Sequence, residues 1–109
     1  MKVAVIGSRG LHVTNFEKYL PDGVSEIVSG GARGIDSDAE LYAHENGLKM
    51  TVFLPDYARY GRGAPIRRNK EIADYADEVI AFWDGESKGT MSVIEYCKKQ
   101  CKKITVIKL

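Results

Sequence analysis

Five short apolar runs punctuate this chain, at Lys2–Ile6, Glu26–Ser29, Lys49–Leu54, Glu78–Trp83 and Lys103–Lys108. They are rich in valine, isoleucine and aromatic residues and mostly continuous in apolarity, which suits strands covered on both faces. Segments of helical spacing lie between them. Ile35, Ala39, Tyr42 and Ala43 recur on one helical face, and Gly47 stands where a C-terminal cap belongs. Pro65 suits a first helical position, and Ile66 and Ala73 bound the apolar stripe that follows. Val93, Ile94, Cys97 and Cys101 share a face of the last helix, so both thiols are expected to be small buried apolar residues. The first helix is expected over about Val13–Leu20, beginning between His12 and Asn15.

Parallel strands require crossovers, and those crossovers are right-handed. Strict strand and helix alternation therefore predicts an α/β fold: one small Rossmann-like three-layer domain over residues 1–109, with a parallel sheet of about five strands. A strand order of 3-2-1-4-5 would open a crevice between the first and fourth strands.

With 109 residues, 44% hydrophobic, 28% charged and a net charge of +1, the chain has the composition of an ordinary soluble globular protein. Its apolar runs are far shorter than a bilayer span, and MKVAVIGSRG passes from lysine straight into a strand, so a cytoplasmic protein without a membrane partner is expected. Two cysteines four residues apart, with no histidine near them, suggest neither a disulfide framework nor a metal site. No obligatory cofactor is predicted.

The glycines are not scattered. Nine of eleven (Gly7, Gly10, Gly30, Gly31, Gly34, Gly61, Gly63, Gly85 and Gly89) fall after a strand and before the next helix. In an open parallel sheet that is the edge where ligands bind, because helix N-termini point their unpaired N–H groups there. All six arginines, Arg9, Arg33, Arg59, Arg62, Arg67 and Arg68, lie in the same loops or the first turn of the third helix. Arginine grips phosphate or carboxylate with two parallel hydrogen bonds, so together they favour an anion site.

Four motifs carry that edge. Gly7-Ser8-Arg9-Gly10 ends the first strand, with Ser8 and Arg9 as donors to a phosphate or base. Gly30-Gly31-Ala32-Arg33-Gly34 opens the second helix, its amides forming an expected phosphate cradle with Arg33 as counter-charge and Asp36 as a capping residue. Pro65-Ile66-Arg67-Arg68-Asn69 begins the third helix; Asn69 falls on the inward stripe, where its amide either ties a neighbouring loop or reaches a ligand. Asp84-Gly85-Glu86-Ser87-Lys88-Gly89-Thr90 joins the fourth strand to the fourth helix, with Ser87, Gly89 and Thr90 as donors and Asp84 placed to accept from ribose hydroxyls. Trp83 is expected in the core, and His12 and His44 on the surface. Neither glycine loop fits GxGxxG or GxxxxGK[ST].

The succession GSRG, SGGARGID, RRN and AFWDGESKGT resembles the SLOG superfamily of small Rossmann-like proteins, which includes DNA-processing protein A and the Lonely-guy phosphoribohydrolases. The resemblance covers nearly the whole chain and is strongest to the small stand-alone members. It implies a nucleotide or nucleotide-derived ligand, held by the glycine loops in a sensor or processing component, and a homodimer. The first relative implies single-stranded DNA binding through the SGGARGID region, but Glu40 here stands where that family carries a histidine, and +1 is a weak counter-charge for a polyanion. The second implies hydrolysis of a nucleotide's N-glycosidic bond. Aligning Gly89-Thr90 with its GT puts Val93 at the catalytic glutamate, so Asp84, Glu86 or Asp36 would have to act instead. Replacing Gly31 by a bulky residue is expected to abolish binding without unfolding the domain.

Overall fold

The computed structural model describes every residue except Arg9, Ala32 and Arg33. Five strands, β1 (Lys2–Gly7), β2 (Glu26–Ser29), β3 (Lys49–Val52), β4 (Glu78–Trp83) and β5 (Ile104–Lys108), form one sheet in the order β3-β2-β1-β4-β5, every neighbouring pair parallel. Three long helices, α1 (Ile35–Glu45), α3 (Ala64–Tyr75) and α4 (Lys88–Lys99), and a single-turn helix α2 (Tyr57–Tyr60) lie in the crossovers that follow β2, β3 and β4, while β1 is joined to β2 without an α-helix. The fold is the expected small Rossmann-like α/β domain.

The connections from β1 to β3 step one way along the sheet and those from β3 to β5 the other, so right-handed crossovers put them on opposite faces. The core divides accordingly. Ile35, Ala39 and Ala43 of α1 pack with Val3, Val5, Ile27, Ile80 and Phe82, while Ile72 and Ala73 of α3 and Val93, Ile94 and Cys97 of α4 pack with Ala4, Ile6, Val28, Val79 and Ala81. Each large side chain buried this way stabilises the fold by about 1.5–3 kcal/mol.

Four expectations are corrected. No α-helix forms over Val13–Leu20; one 3-10 turn, Phe16–Lys18, stands there. Phe16 still enters the core, edge-on to Phe82 at 5.8 Å, and Tyr19 meets the same ring at 5.2 Å, so the segment covers its sheet face as a loop. Cys101 is exposed, because α4 has already ended. Its φ of 56° closes the helix, with the Cys101 N–H bonding the Lys98 carbonyl and the Lys102 N–H the Cys97 carbonyl, a Schellman arrangement. Ile66 is 49% exposed, so α3 turns Ile72 and Ala73 inward without it. β3 also ends at Val52, two residues before the expected limit, and its edge position leaves Val52 and Leu54 exposed.

At the N-terminal edge of the sheet a polar knot ties β2, β3 and α3. The near-buried Glu26 accepts from the Tyr75 hydroxyl at 2.6 Å and the Thr51 hydroxyl at 2.7 Å. Those bonds hold the carboxyl below its usual range and push the Tyr75 phenol up. The opposite edge is left to the loops that follow the strands.

Candidate functional site

The strand order reverses at β1, and there the carboxyl ends of β1 and β4 part to leave a crevice. A cavity of about 400 Å³ occupies it. Of the described residues singled out from sequence, Gly7, Gly30, Arg68, Asn69, Asp84, Ser87, Gly89 and Thr90 line this cavity, while Ser8, Gly31, Gly34 and Gly85 do not. Arg9, Ala32 and Arg33 lie outside the described residues. Sequence reasoning missed the apolar floor of Ile6, Ile72, Val93 and Pro65, and it assigned Asp36 to capping although that residue lines the cavity.

The β2–α1 corner is built by close packing. Gly30 gives its N–H to the Asp36 carboxylate at 3.1 Å, bridging six residues, and Asp36 is only 7% exposed. A Cβ on Gly30 would lie 2.5 Å from Nη1 of Arg68, whose guanidinium covers that backbone. Nη1 donates to the carbonyls of Gly30 (2.7 Å) and Phe53 (3.3 Å), so Arg68 clamps the ends of β2 and β3 onto α3. Gly34, at φ +76°, would set a Cβ 2.7 Å from the Leu11 carbonyl, and a Cβ on Gly7 would lie 2.4 Å from Ile35. Each of these glycines answers a steric demand.

Gly31 cannot serve the test expected of it. Its φ is +71°, and a Cβ there would lie 2.9 Å from Leu54 and 3.0 Å from Val52, so a bulky residue would strain the corner itself. Its N–H is directed at Ser29 Oγ, 3.5 Å away. The two described amides that open the supposed cradle, Gly30 and Gly31, thus face acceptors within the protein.

The β4–α4 corner is arranged differently. Asp84 folds back so that one oxygen accepts the N–H groups of Glu86 and Ser87, both at 2.8 Å. Those two bonds hold its carboxyl below the usual range. Ser87 is the N-cap, accepting from the Thr90 N–H at 3.4 Å. The buried Ser8 hydroxyl lies 3.3 Å from that of Thr90 and accepts the Asp84 N–H, tying the end of β1 to this loop. Trp83 gives its indole N–H to the Ser87 carbonyl at 3.1 Å. With the loop so fixed, the N–H groups of Lys88 and Gly89 have no acceptor among the described residues, and the space beside Gly89 is open for at least 4 Å. A lysine from β5 joins the corner: the Lys108 ammonium would lie 3.3 Å from a Cβ on Gly85.

Of the two roles expected for Asn69, no hydrogen bond among the described residues ties it to a neighbouring loop, and it faces the cavity. Its Oδ1 accepts from Arg68 Nε at 2.8 Å, while the residue lines the cavity. The four described arginines do not converge. Arg68 alone among the described arginines lines the cavity; Arg59 and Arg67 lie 5.2 and 4.7 Å from the Tyr60 ring on the exposed outer side of α2 and α3. Val93 is 3% exposed and forms part of the cavity wall, whereas Glu95 is exposed, so an apolar side chain occupies the aligned glutamate position.

The cavity therefore has a donor wall, made by the start of α4 with Asn69 and Arg68, and a carboxylate wall, Asp36 and Asp84, over an apolar floor. Such a lining can hold an anion joined to a hydroxyl-bearing group. Among the described residues no cluster of histidine, cysteine or carboxylate side chains is arranged to hold a metal ion, and no helix is long and apolar enough to cross a membrane. Comparison with protein-family models, with curated proteins and with solved structures returns no match.

Proposed function

We propose that this protein binds a nucleotide or nucleotide-derived ligand across the β1/β4 crevice, as a small SLOG-like sensor or processing component. The observation that carries the reading is the two-sided lining of one cavity at the switch point of the sheet. A phosphate would take the Lys88 and Gly89 amides at the start of α4, aided by Asn69 and Arg68. Sugar hydroxyls would donate to Asp36 and the outward oxygen of Asp84, and the base or sugar face would rest on Ile6, Ile72 and Val93. At about 400 Å³ the space suits a mononucleotide-sized ligand.

Calorimetry with a nucleotide panel, preceded by mass spectrometry of small molecules that co-purify with the protein, tests this directly. Saturable binding of a 5′-phosphorylated nucleoside, weaker without its phosphate, is expected. No binding across the panel contradicts the reading.

A hydrolase of nucleotide N-glycosidic or phosphate bonds is the second reading, favoured by the two carboxylates that reach the cavity. Asp84, held ionised by two N–H donors, suits a base or an electrostatic stabiliser and not a proton donor at neutral pH. Asp36 would then have to be the acid. Product analysis decides: turnover abolished by Asp84→Asn supports the hydrolase, and recovery of intact nucleotide supports binding alone. Single-stranded DNA binding would show a steep loss of affinity with salt.

A further inference from the structure

A second cavity, of about 350 Å³, lies at the other end of the sheet and shares no lining residue with the β1/β4 crevice. Its walls come from the 3-10 segment and the turn after it, from the C-terminal end of α1, and from Leu48 just before β3. These elements meet at the amino ends of β2 and β3. Leu20, Val24, Tyr42 and Leu48 are half-buried and pack against the core on the α1 face, so the hollow has an apolar lining anchored in the fold. The Tyr42 ring is tilted against Phe16, with 5.6 Å between ring centres, which sets its orientation.

The charge of this lining is one-sided. Glu17 and Asp22 border the cavity, both exposed and without an ion pair among the described residues, and no lysine or arginine lines it. Two neighbouring cations are engaged elsewhere: Lys18 lies over the Tyr19 ring, 5.8 Å from its centre, and the Met1 ammonium donates to the Gly23 carbonyl and the Ser25 hydroxyl. The C-terminal end of α1 adds its partial negative charge, since its C-cap Asn46 stands in the wall. Asn46 gives its Nδ2 to the Tyr42 carbonyl at 2.9 Å, which leaves Oδ1 as an acceptor. An apolar hollow with an aromatic wall, two carboxylates at its rim and a helix C-terminus fits a positive group on an apolar stem. An anion would meet repulsion there.

We infer that this cavity binds an organic cation, an ammonium or guanidinium on an apolar stem, with the charge toward Glu17 and Asp22 and the stem against Leu20, Val24, Tyr42 and Leu48. A free amine carries that chemistry, and so does a lysine or arginine side chain of a peptide. The site draws on none of the residues of the nucleotide reading, so it stands or falls separately.

NMR titration of the 15N-labelled full chain with n-hexylamine, protonated at neutral pH, and with the matched neutral n-hexanol reads the site. Hexylamine should shift the Leu20, Asp22, Val24, Asn46 and Leu48 amides saturably, while the Lys88 and Gly89 amides of the crevice stay still. Hexanol should bind at least about tenfold more weakly, because it lacks the charge. Glu17→Gln with Asp22→Asn should weaken hexylamine about tenfold, the size expected of two exposed charge contacts, and leave hexanol unchanged. Both side chains are exposed, so the variant should fold, and an unaltered spectrum away from the cavity checks that it does. Nα-acetyllysine amide in a parallel arm names the source: binding tighter than hexylamine assigns the site to a peptide side chain, weaker binding to a free amine, and either supports the cation site. Hexanol binding as tightly as hexylamine overturns the inference, as does a folded double variant that binds hexylamine like the wild type. The absence of any saturable shift with either amine overturns it equally.

Discussion

The two glycine-bearing corners that border the crevice look alike in sequence and differ in what their backbones have left to offer. SGGARGID is the richer motif, yet Gly30 donates to Asp36, Gly31 faces Ser29, and Gly7, Gly30 and Gly34 each make room for a neighbour closer than 3 Å. DGESKGT is the plainer stretch, but Asp84 and Ser87 pin its loop and leave the Lys88 and Gly89 amides at an open helix start. Glycine is needed in the first corner for close packing, whereas Gly89 in the second leaves access. A motif's glycine count does not say which.

The largest effect expected concerns packing. Gly7→Ala places a methyl within 2.4 Å of the buried Ile35, a branched side chain fixed in the core, and should lower stability by about 3 kcal/mol, near the upper end of overpacking costs. Denaturant titration measures it, and a negligible change would remove steric demand as the reason for glycine there. Gly89→Leu should do the reverse. Its side chain enters open space in the first turn of α4, so the fold should gain up to about 1 kcal/mol from helix propensity while nucleotide affinity falls on the order of 100-fold. Unchanged binding in calorimetry would place the anion elsewhere.

Asp36→Ala leaves the buried Gly30 N–H without that acceptor, at about 1–3 kcal/mol, and Asp36→Asn should restore most of the loss. If both variants are equally unstable, the charge and not the hydrogen bond holds the corner. The smallest effect is a titration. Because Asp84 is held below the ordinary aspartate value, the order it gives its loop is present above that value and lost as pH falls through the lower, folded one. The emission of Trp83, the sole tryptophan, bonded to the Ser87 carbonyl, should change with a midpoint below about pH 3.9, and Asp84→Asn should remove that step. A midpoint at or above the ordinary value contradicts the two N–H bonds.

Much of the fold was legible because buried parallel strands declare themselves: Val3–Ile6 and Val79–Phe82 are unbroken apolar runs, and both lie at the centre of the sheet. The edge strands were harder to bound, since β3 and β5 are half solvated and their ends obey no covering helix. Val13 and Phe16 stand three apart, a spacing that a 3-10 turn and its flanking loop satisfy as well as an α-helix would. The site was legible as an edge, through glycine placement. Which amides remain open was not legible, because that depends on Asp36 reaching back six residues and Arg68 reaching across to Phe53, contacts set by tertiary structure. Arg59 misled for a related reason: α2 turns it toward Tyr60, and a single-turn helix leaves no periodic trace.

The comparison between the corners rests on which backbone amides meet the anion, and NMR can observe each amide by itself. Titrating a 15N-labelled sample with a 5′-nucleotide, and in parallel with inorganic phosphate, should move the Lys88 and Gly89 amide resonances most, with Gly30 and Gly31 nearly still. Large shifts at Gly30 and Gly31 with Lys88 and Gly89 unmoved would contradict the account and return the phosphate to SGGARGID.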